Sequence, residues 1–168
     1  MNFNGHNMYL KPASWQDRDI IYNWANDEVT RRYSFNSDKI DYESHLKWFE
    51  KMLKNNKVKF FILKNENEAV GQIRIENKED EYILSYSVDP KHRGKGYGSI
   101  MLKLIEKELT KELPEAKLVA FVKKENKPSI MLLEKLGYAL SEETDICYKF
   151  DKIVVWGENL YEENCTNS

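Results

Sequence analysis

Residues Arg93-Gly94-Lys95-Gly96-Tyr97-Gly98 join an extended segment to a helix, and few folds have a use for such a junction. Before it, Tyr82 to Val88 is rich in β-branched and aromatic residues and leads into the turn pair Asp89-Pro90. After it, Ile100, Met101, Leu104, Ile105 and Leu109 recur at helical spacing. Glycine at alternate positions lets the backbone approach a ligand closely and turn its N–H groups inward. A helix opening at the same place adds unpaired amides and the positive end of its dipole. The stretch from Arg93 to Ser99 is therefore predicted to cradle phosphate oxygens, with Arg93 and Lys95 as counter-charge. A diphosphate is the expected ligand.

Spacing narrows which one. A Walker loop needs Gly-Lys-Ser/Thr, and here Lys95 is followed by Gly96. A dinucleotide fingerprint needs a third glycine where Ser99 stands. A second motif lies downstream. Leu118 to Val122 reads as a short buried strand, and Asn126-Lys127-Pro128-Ser129 then opens a helix that runs to Glu134-Lys135-Leu136-Gly137-Tyr138. Asn126 suits an N-cap, Pro128 the first turn, and Gly137 a helix stop. Arg93, Gly96 and Gly98 in the first motif, with Asn126 and Glu134 to Tyr138 in the second, resemble the acetyl-CoA-binding signature of the GNAT superfamily of N-acyltransferases. The resemblance covers residues 8 to 156. A CoA-binding module without catalysis, and a nucleotide-phosphate binder using the same loop, are the competing readings.

Composition sets consistent bounds. The 168 residues suffice for one domain with a proper core, here expected over 1–157, followed by a polar tail over 158–168. A net charge of −2 offers no general attraction to nucleic acid or to an anionic membrane. Two cysteines, Cys147 and Cys165, make no disulfide framework, and no secretory or long apolar run stands out. The expectation is a cytoplasmic protein with no metal and no nucleic-acid or membrane partner; whether it forms a homodimer is left open.

Periodicity orders the elements. Met8 to Ala13 is predicted as a first strand, and Ser14 with Asp17 makes a capping-box-like start to a helix buried through Ile20, Ile21 and Trp24. Asn26 to Lys39 has no clean period and reads as loop or broken helix. Asp41 opens a second helix with Leu46, Trp48, Phe49, Met52 and Leu53 toward the core. Strands over 57–63, 70–76 and 82–88 form a meander. The fold class is α/β with a mixed sheet, in the order β-α-α-β-β-β-α-β-α-β-β that the resemblance implies.

The resemblance also implies that the strands over 82–88 and 118–122 start paired and then splay. A pantetheine arm would lie between them as an added pseudo-strand, meeting the backbone of Tyr86, Ser87 and Val88, with Asn126 and Ser129 beside it. Acyl transfer to an amine needs a neutral nitrogen, a positioned thioester and a proton for the leaving sulfur. Glu81 and His45 are the candidate bases. Many relatives carry a tyrosine acid immediately before Glu-Lys-x-Gly, but this chain has Leu133 there, which cannot donate a proton. Tyr138 fills the aromatic position that packs inward; Tyr86 is the better polar candidate, with packing as its alternative use, and water is the other source of a proton for the leaving sulfur.

The wall opposite the cofactor should come from the first helices. Trp24, Asn26, Phe35, Asn36, His45 and Trp48 there resemble the branch that acetylates nucleotide-linked amino sugars of the pseudaminic-acid pathway and, more loosely, the branch that acetylates ribosomal-protein N-termini. Trp24, Phe35 and Trp48 could stack on a sugar or base, and Asn26, Asn36 and His45 could hydrogen-bond hydroxyls; helix core is the alternative use of the tryptophans. The expected activity is acetyl-CoA-dependent N-acetylation of a small-molecule amine, with a nucleotide-linked amino sugar first and a protein N-terminus or other small amine next.

Overall fold

The computed structural model of the chain describes residues 2–3 and 6–157. In chain order the elements are β1 (Asn2–Phe3), β2 (His6–Pro12), α1 (Arg18–Ala25), α2 (Glu28–Tyr33), α3 (Tyr42–Lys54), β3 (Val58–Asn65), β4 (Glu68–Lys78) and β5 (Glu81–Val88). There follow α4 (Tyr97–Thr110), β6 (Glu115–Lys123), α5 (Lys127–Lys135), β7 (Ala139–Glu143) and β8 (Cys147–Val155). The strands line up in the order β1-β2-β3-β4-β5-β6-β8-β7. Every pairing is antiparallel except that of β5 with β6.

The expected order is present, with two additions. The two-residue β1 adds an edge to β2. The stretch without a clean period contains α2, a single short helix whose N-cap Asp27 accepts from the Thr30 amide at 3.1 Å. Local capping, rather than an apolar stripe, starts this helix, so periodicity had little to register. The strand expected over 118–122 extends to Glu115–Lys123. The proposed tail over 158–168 lies outside the described residues.

Two apolar layers sandwich the sheet. On one face α4 contributes Tyr97, Met101, Ile105 and Leu109, four residues apart, against Leu63, Ile73, Ile75, Leu84, Leu118 and Phe150. On the other, α1 and α3 bring Ile21, Trp24 and Phe49 onto Phe60 and Ile62. β3 is buried on both faces, which explains its unbroken run Phe60-Phe61-Ile62-Leu63.

One charged group lies inside the first layer. Glu106 on α4 is 3% exposed. Its carboxylate accepts from the Lys152 ammonium at 3.0 and 3.1 Å and from the Tyr138 hydroxyl at 3.0 Å. Burial first, and then the Glu106 charge, drive the Tyr138 phenol far above its ordinary value. Tyr138 is thus a pillar of the core rather than an acid. Replacing Glu106 by Ala strands a lysine and a hydroxyl, and because Lys152 keeps some solvent the loss should be about 3 kcal/mol, the low end for a broken buried pair. A urea unfolding curve of Glu106→Ala measures this directly; a loss well below 1 kcal/mol would show that the triad carries no weight.

Candidate active site

The site begins where β5 ends. Asp89 accepts from the Trp24 indole N–H at 2.7 Å through Oδ1 and meets His92 Nδ1 at 2.5 Å through Oδ2. After a short turn at Pro90–His92 the chain passes through Gly94 at φ 76° and Gly96 at φ 84°. Both lie in the left-handed region, which side chains disfavour. Gly96 is also the N-cap of α4, so the amides of Tyr97, Gly98 and Ser99 have no carbonyl within the helix to bond. Among the described residues no backbone carbonyl accepts from any amide between Gly94 and Ser99. A Cβ built on Gly94 or Gly96 would meet no protein atom within 4 Å, whereas one on Gly98 would lie 2.9 Å from Leu132. The first two glycines keep space for a ligand, and the third lets α4 pack close to α5. The amides, the dipole and the exposed Lys95 fit a diphosphate.

Arg93 departs from expectation. Its guanidinium bonds Asp27 Oδ2 at 2.5 Å and Thr30 Oγ1 at 3.2 Å, so it ties the loop to the start of α2 instead of standing free as counter-charge. Burial alone would raise the Asp27 carboxyl, but hydrogen bonds from Arg93 and Thr30 outweigh it and hold the group below its usual range. Tyr97 likewise turns its ring into the core, where its hydroxyl accepts from Asn65 at 3.1 Å, and has only its amide to offer the cradle.

Beside the loop the sheet opens. β5 pairs with β6 only at Glu81–Lys117, Tyr82–Leu118 and Ile83–Val119. Beyond that, β5 stays with β4 as far as Val88, and β6 stays with β8 as far as Lys123. The facing edges over 84–88 and 120–123 therefore carry ladder groups with no partner strand, the geometry that takes up an extended ligand. On the α5 side of this gap the Tyr86 hydroxyl lies 2.5 Å from Ser129 Oγ. Asn126 caps α5 by accepting from the Ser129 amide at 3.3 Å. Burial pushes the Tyr86 phenol up, against the opposing pull of Ser129, so it keeps its proton at neutral pH.

Both candidate bases are committed elsewhere. His45 is 1% exposed, packed among Tyr22, Trp48 and Phe49, and its Nε2 is 2.7 Å from the Arg18 carbonyl. That contact makes Nε2 the protonated nitrogen, and burial pushes the imidazole below its ordinary value despite the carbonyl. His45 joins α1 to α3 and has no access to a substrate proton. Glu81 stands at the paired end of β5, and its carboxylate accepts from Lys117 at 2.9 Å with Lys149 at 3.6 Å. The Lys117 hydrogen bond, opposed by slight desolvation, holds it below the usual carboxylate range. A carboxylate so stabilised is a weak base, and it lies on a paired rung of β5 and β6 rather than along the open part of the gap.

The substrate wall is similarly thinned. Trp24 is 3% exposed and spends its N–H on Asp89, so it is core. The Asn26 amide donates to the Ile40 carbonyl at 2.9 Å and accepts from the Ile40 amide at 2.7 Å, which consumes it in closing the loop before α3. Asn36 uses Oδ1 to accept from the Asp38 amide. Trp48 is half-buried against Phe60. Phe35 alone of the proposed aromatics is largely exposed, at 56%. Asp27 and Asp89, not singled out as functional from the sequence, anchor the whole corner; Asp89 showed only the turn signal of Asp-Pro, and Asp27 lay in the stretch without a clean period.

Residues 7–139 match the family described as Acetyltransferase (GNAT) domain. The chain is 27% identical over 143 residues to the SPbeta prophage-derived uncharacterized N-acetyltransferase YokL of Bacillus subtilis (strain 168), spanning 81% of this chain and 78% of that one. It is 23% identical to Acetyltransferase PseH of Campylobacter jejuni over 76% of this chain and 80% of the relative. The solved PseH in complex with acetyl coenzyme A superposes with a TM-score of 0.69 at 21% identity, covering 87% of this chain and 98% of the other. Spermidine N-acetyltransferase from Vibrio cholerae, in complex with CoA and spermine, superposes at 0.78 with 17% identity, covering 91% and 98%. At such identities these superpositions show a shared fold.

Gly96→Val tests the cradle. The left-handed φ should cost about 1–2 kcal/mol of stability, and the branched side chain should project where phosphate oxygens belong. Calorimetry is expected to show CoA affinity reduced by more than about tenfold with a cooperative unfolding transition retained. Unchanged affinity would remove the loop from the binding site.

Proposed function

This chain belongs to the GNAT acetyltransferases, and from that we propose that it transfers an acetyl group from acetyl-CoA to the primary amine of a nucleotide-linked amino sugar. The residues suited to hold the donor are the amides from Gly94 to Ser99, Lys95, the edge of β5 at Tyr86–Val88, and the Asn126–Ser129 turn. Bound there, acetyl-CoA supplies an activated thioester carbonyl. A β5 amide facing the gap can donate to the carbonyl oxygen as charge develops on it. Tyr86, kept protonated by burial, is the group on this chain suited to return a proton to the departing sulfur. Leu133, at the position where relatives carry an acid, is fully buried in the core.

One observation carries the choice of substrate: neither His45 nor Glu81 is free to deprotonate an amine. An amine of lysine-like basicity is neutral in about one molecule in 2,500 at pH 7, against about one in ten for a group titrating near 8. That gap of about 2.4 units, about 250-fold or about 3.3 kcal/mol, must be made up by the substrate when the protein has no base to offer. A weakly basic sugar amine meets the requirement better than a polyamine. The identity to PseH supports the same branch, and the exposed Phe35 ring offers a face for a sugar or base. The Vibrio cholerae neighbour acts on spermidine, but its likeness to this chain is one of fold.

Two measurements follow. Thiol release from acetyl-CoA, assayed with nucleotide-linked amino sugars, free amino sugars, spermidine and peptides, should favour the first group in kcat/KM; turnover of spermidine with none of any amino sugar would reject the substrate class. Tyr86→Phe should lower kcat by about 10²-fold or more with little change in KM for acetyl-CoA. Because the phenol is raised above its ordinary value of 10.0, the wild-type rate should fall only at pH above 10, where the donor proton is lost, and the variant should lack that limb. An unaltered kcat in Tyr86→Phe would leave reprotonation to solvent.

A further inference from the structure

Arg74 lies in the middle of β4 on the face that carries α1 and α3, level with Phe60 of β3 and Ser85 of β5. Its guanidinium rests 5.1 Å from the centre of the Trp48 ring and 5.8 Å from that of Phe60. Half-buried there, it is pushed below the ordinary guanidinium range by desolvation, with Glu76 pulling the other way. A guanidinium has far to fall before it loses its charge at neutral pH, so this is a cation drawn out of water. Arg31 spends its donors on the carbonyls of Ala25, Asn36 and Asp38, and Arg93 on Asp27, while Arg32 lies exposed over the Tyr33 ring. Among the described residues Arg74 has no hydrogen-bond acceptor and no carboxylate in ion-pair range, and Glu76 stands 3.9 Å from Lys78 instead.

The half-buried guanidinium has no buried, unpartnered nitrogen, so its five N–H donors stay open to solvent and can be taken in pairs by an anion that enters. The location says which anion. β5, the next strand, borders the gap, so the Arg74 backbone lies one strand spacing, about 4.8 Å, from the strand that forms the cleft's edge. Ser85, directly across, is exposed, and Ser87 accepts from Gln72 at 3.1 Å, so the row between Arg74 and the gap is polar. We propose that Arg74 is the specificity-determining residue of the acceptor site, taking the phosphate of a nucleoside diphosphate-linked amine through paired N–H donors, with the Ser85 hydroxyl beside it. The proposal rests on the amino-sugar reading and sharpens it: the same cation that attracts a phosphate repels a polyamine.

The test uses the full chain saturated with CoA, so that the donor site is closed to other phosphates. Calorimetry with a panel of nucleoside diphosphates and inorganic pyrophosphate should detect binding of at least one nucleoside diphosphate. Arg74→Met, which keeps the stem against Trp48, should weaken that binding at least tenfold, Arg74→Lys should weaken it less, and CoA affinity should not move. Kinetics supply the second arm. Arg74→Met should raise KM for a nucleotide-linked amino sugar at constant kcat and leave KM for the same sugar without phosphate unchanged. Equal diphosphate binding in Arg74→Met, no diphosphate binding by the wild type, or equal KM changes for both sugars would overturn the proposal and leave Arg74 as packing for Trp48. Binding that depends on Arg74 without acetylation of any nucleotide-linked sugar would uphold the anion site and reject the sugar reading. Acetylation of such a sugar indifferent to Arg74 would do the reverse.

Discussion

Parallel pairing holds β5 to β6 for three residues and then stops, while each strand keeps its other neighbour. A sheet normally resists this, because every unpaired ladder group must find a partner. Here both flanking antiparallel ladders run on past the break, so the strands stay in place with two edges facing each other across a gap. The diphosphate loop follows directly from the end of β5, and α5 directly from the end of β6. The glycine loop and the open gap, the two parts of the proposed CoA seat, thus adjoin at one interruption in hydrogen bonding.

The corner formed by α1 and α2 is fastened to this arrangement rather than left to hinge over it. Trp24 reaches Asp89, Asp89 holds His92, and Asp27 holds Arg93. The first and last of these contacts span 65 and 66 residues, and all three converge on residues 89–93, just before Gly94. Their effect is preorganisation: the left-handed glycines and the first turn of α4 are fixed before a ligand arrives, which lowers the ordering cost of binding. The side chains that do this cannot also contact substrate, which is why so many of the polar and aromatic residues near the site turn out to be structural.

The sequence disclosed the backbone part of the site better than the side-chain part. Gly94 and Gly96 were legible because left-handed φ and open space impose glycine, and Asn126 because a cap imposes a short polar side chain. Element order was legible because α3, α4 and the meander bury clean apolar periods. The uses of Arg93, His45, Trp24 and Asn26 were harder to read, for a common reason. Each has chemistry suited to a ligand, and each spends it on a partner far away in sequence, such as Asp27 or the Arg18 carbonyl. Residue type announces capability, while burial and long-range partners decide use. Arg74 went unnoticed for the opposite reason: in a strand of alternating Ile and charge it looks like a solvated position, and only the packing of Trp48 and Phe60 around it reveals otherwise.

The account stands on the gap and the loop acting together as the seat of CoA. Amide hydrogen exchange of the full chain, followed residue by residue with and without CoA, measures this most directly. Protection should appear at Gly94 to Ser99 and along the facing edges at 84–88 and 120–123, with little change in β2, β3 and β7. Saturation by CoA that leaves those amides exchanging as before, or protection confined to other elements, would contradict it.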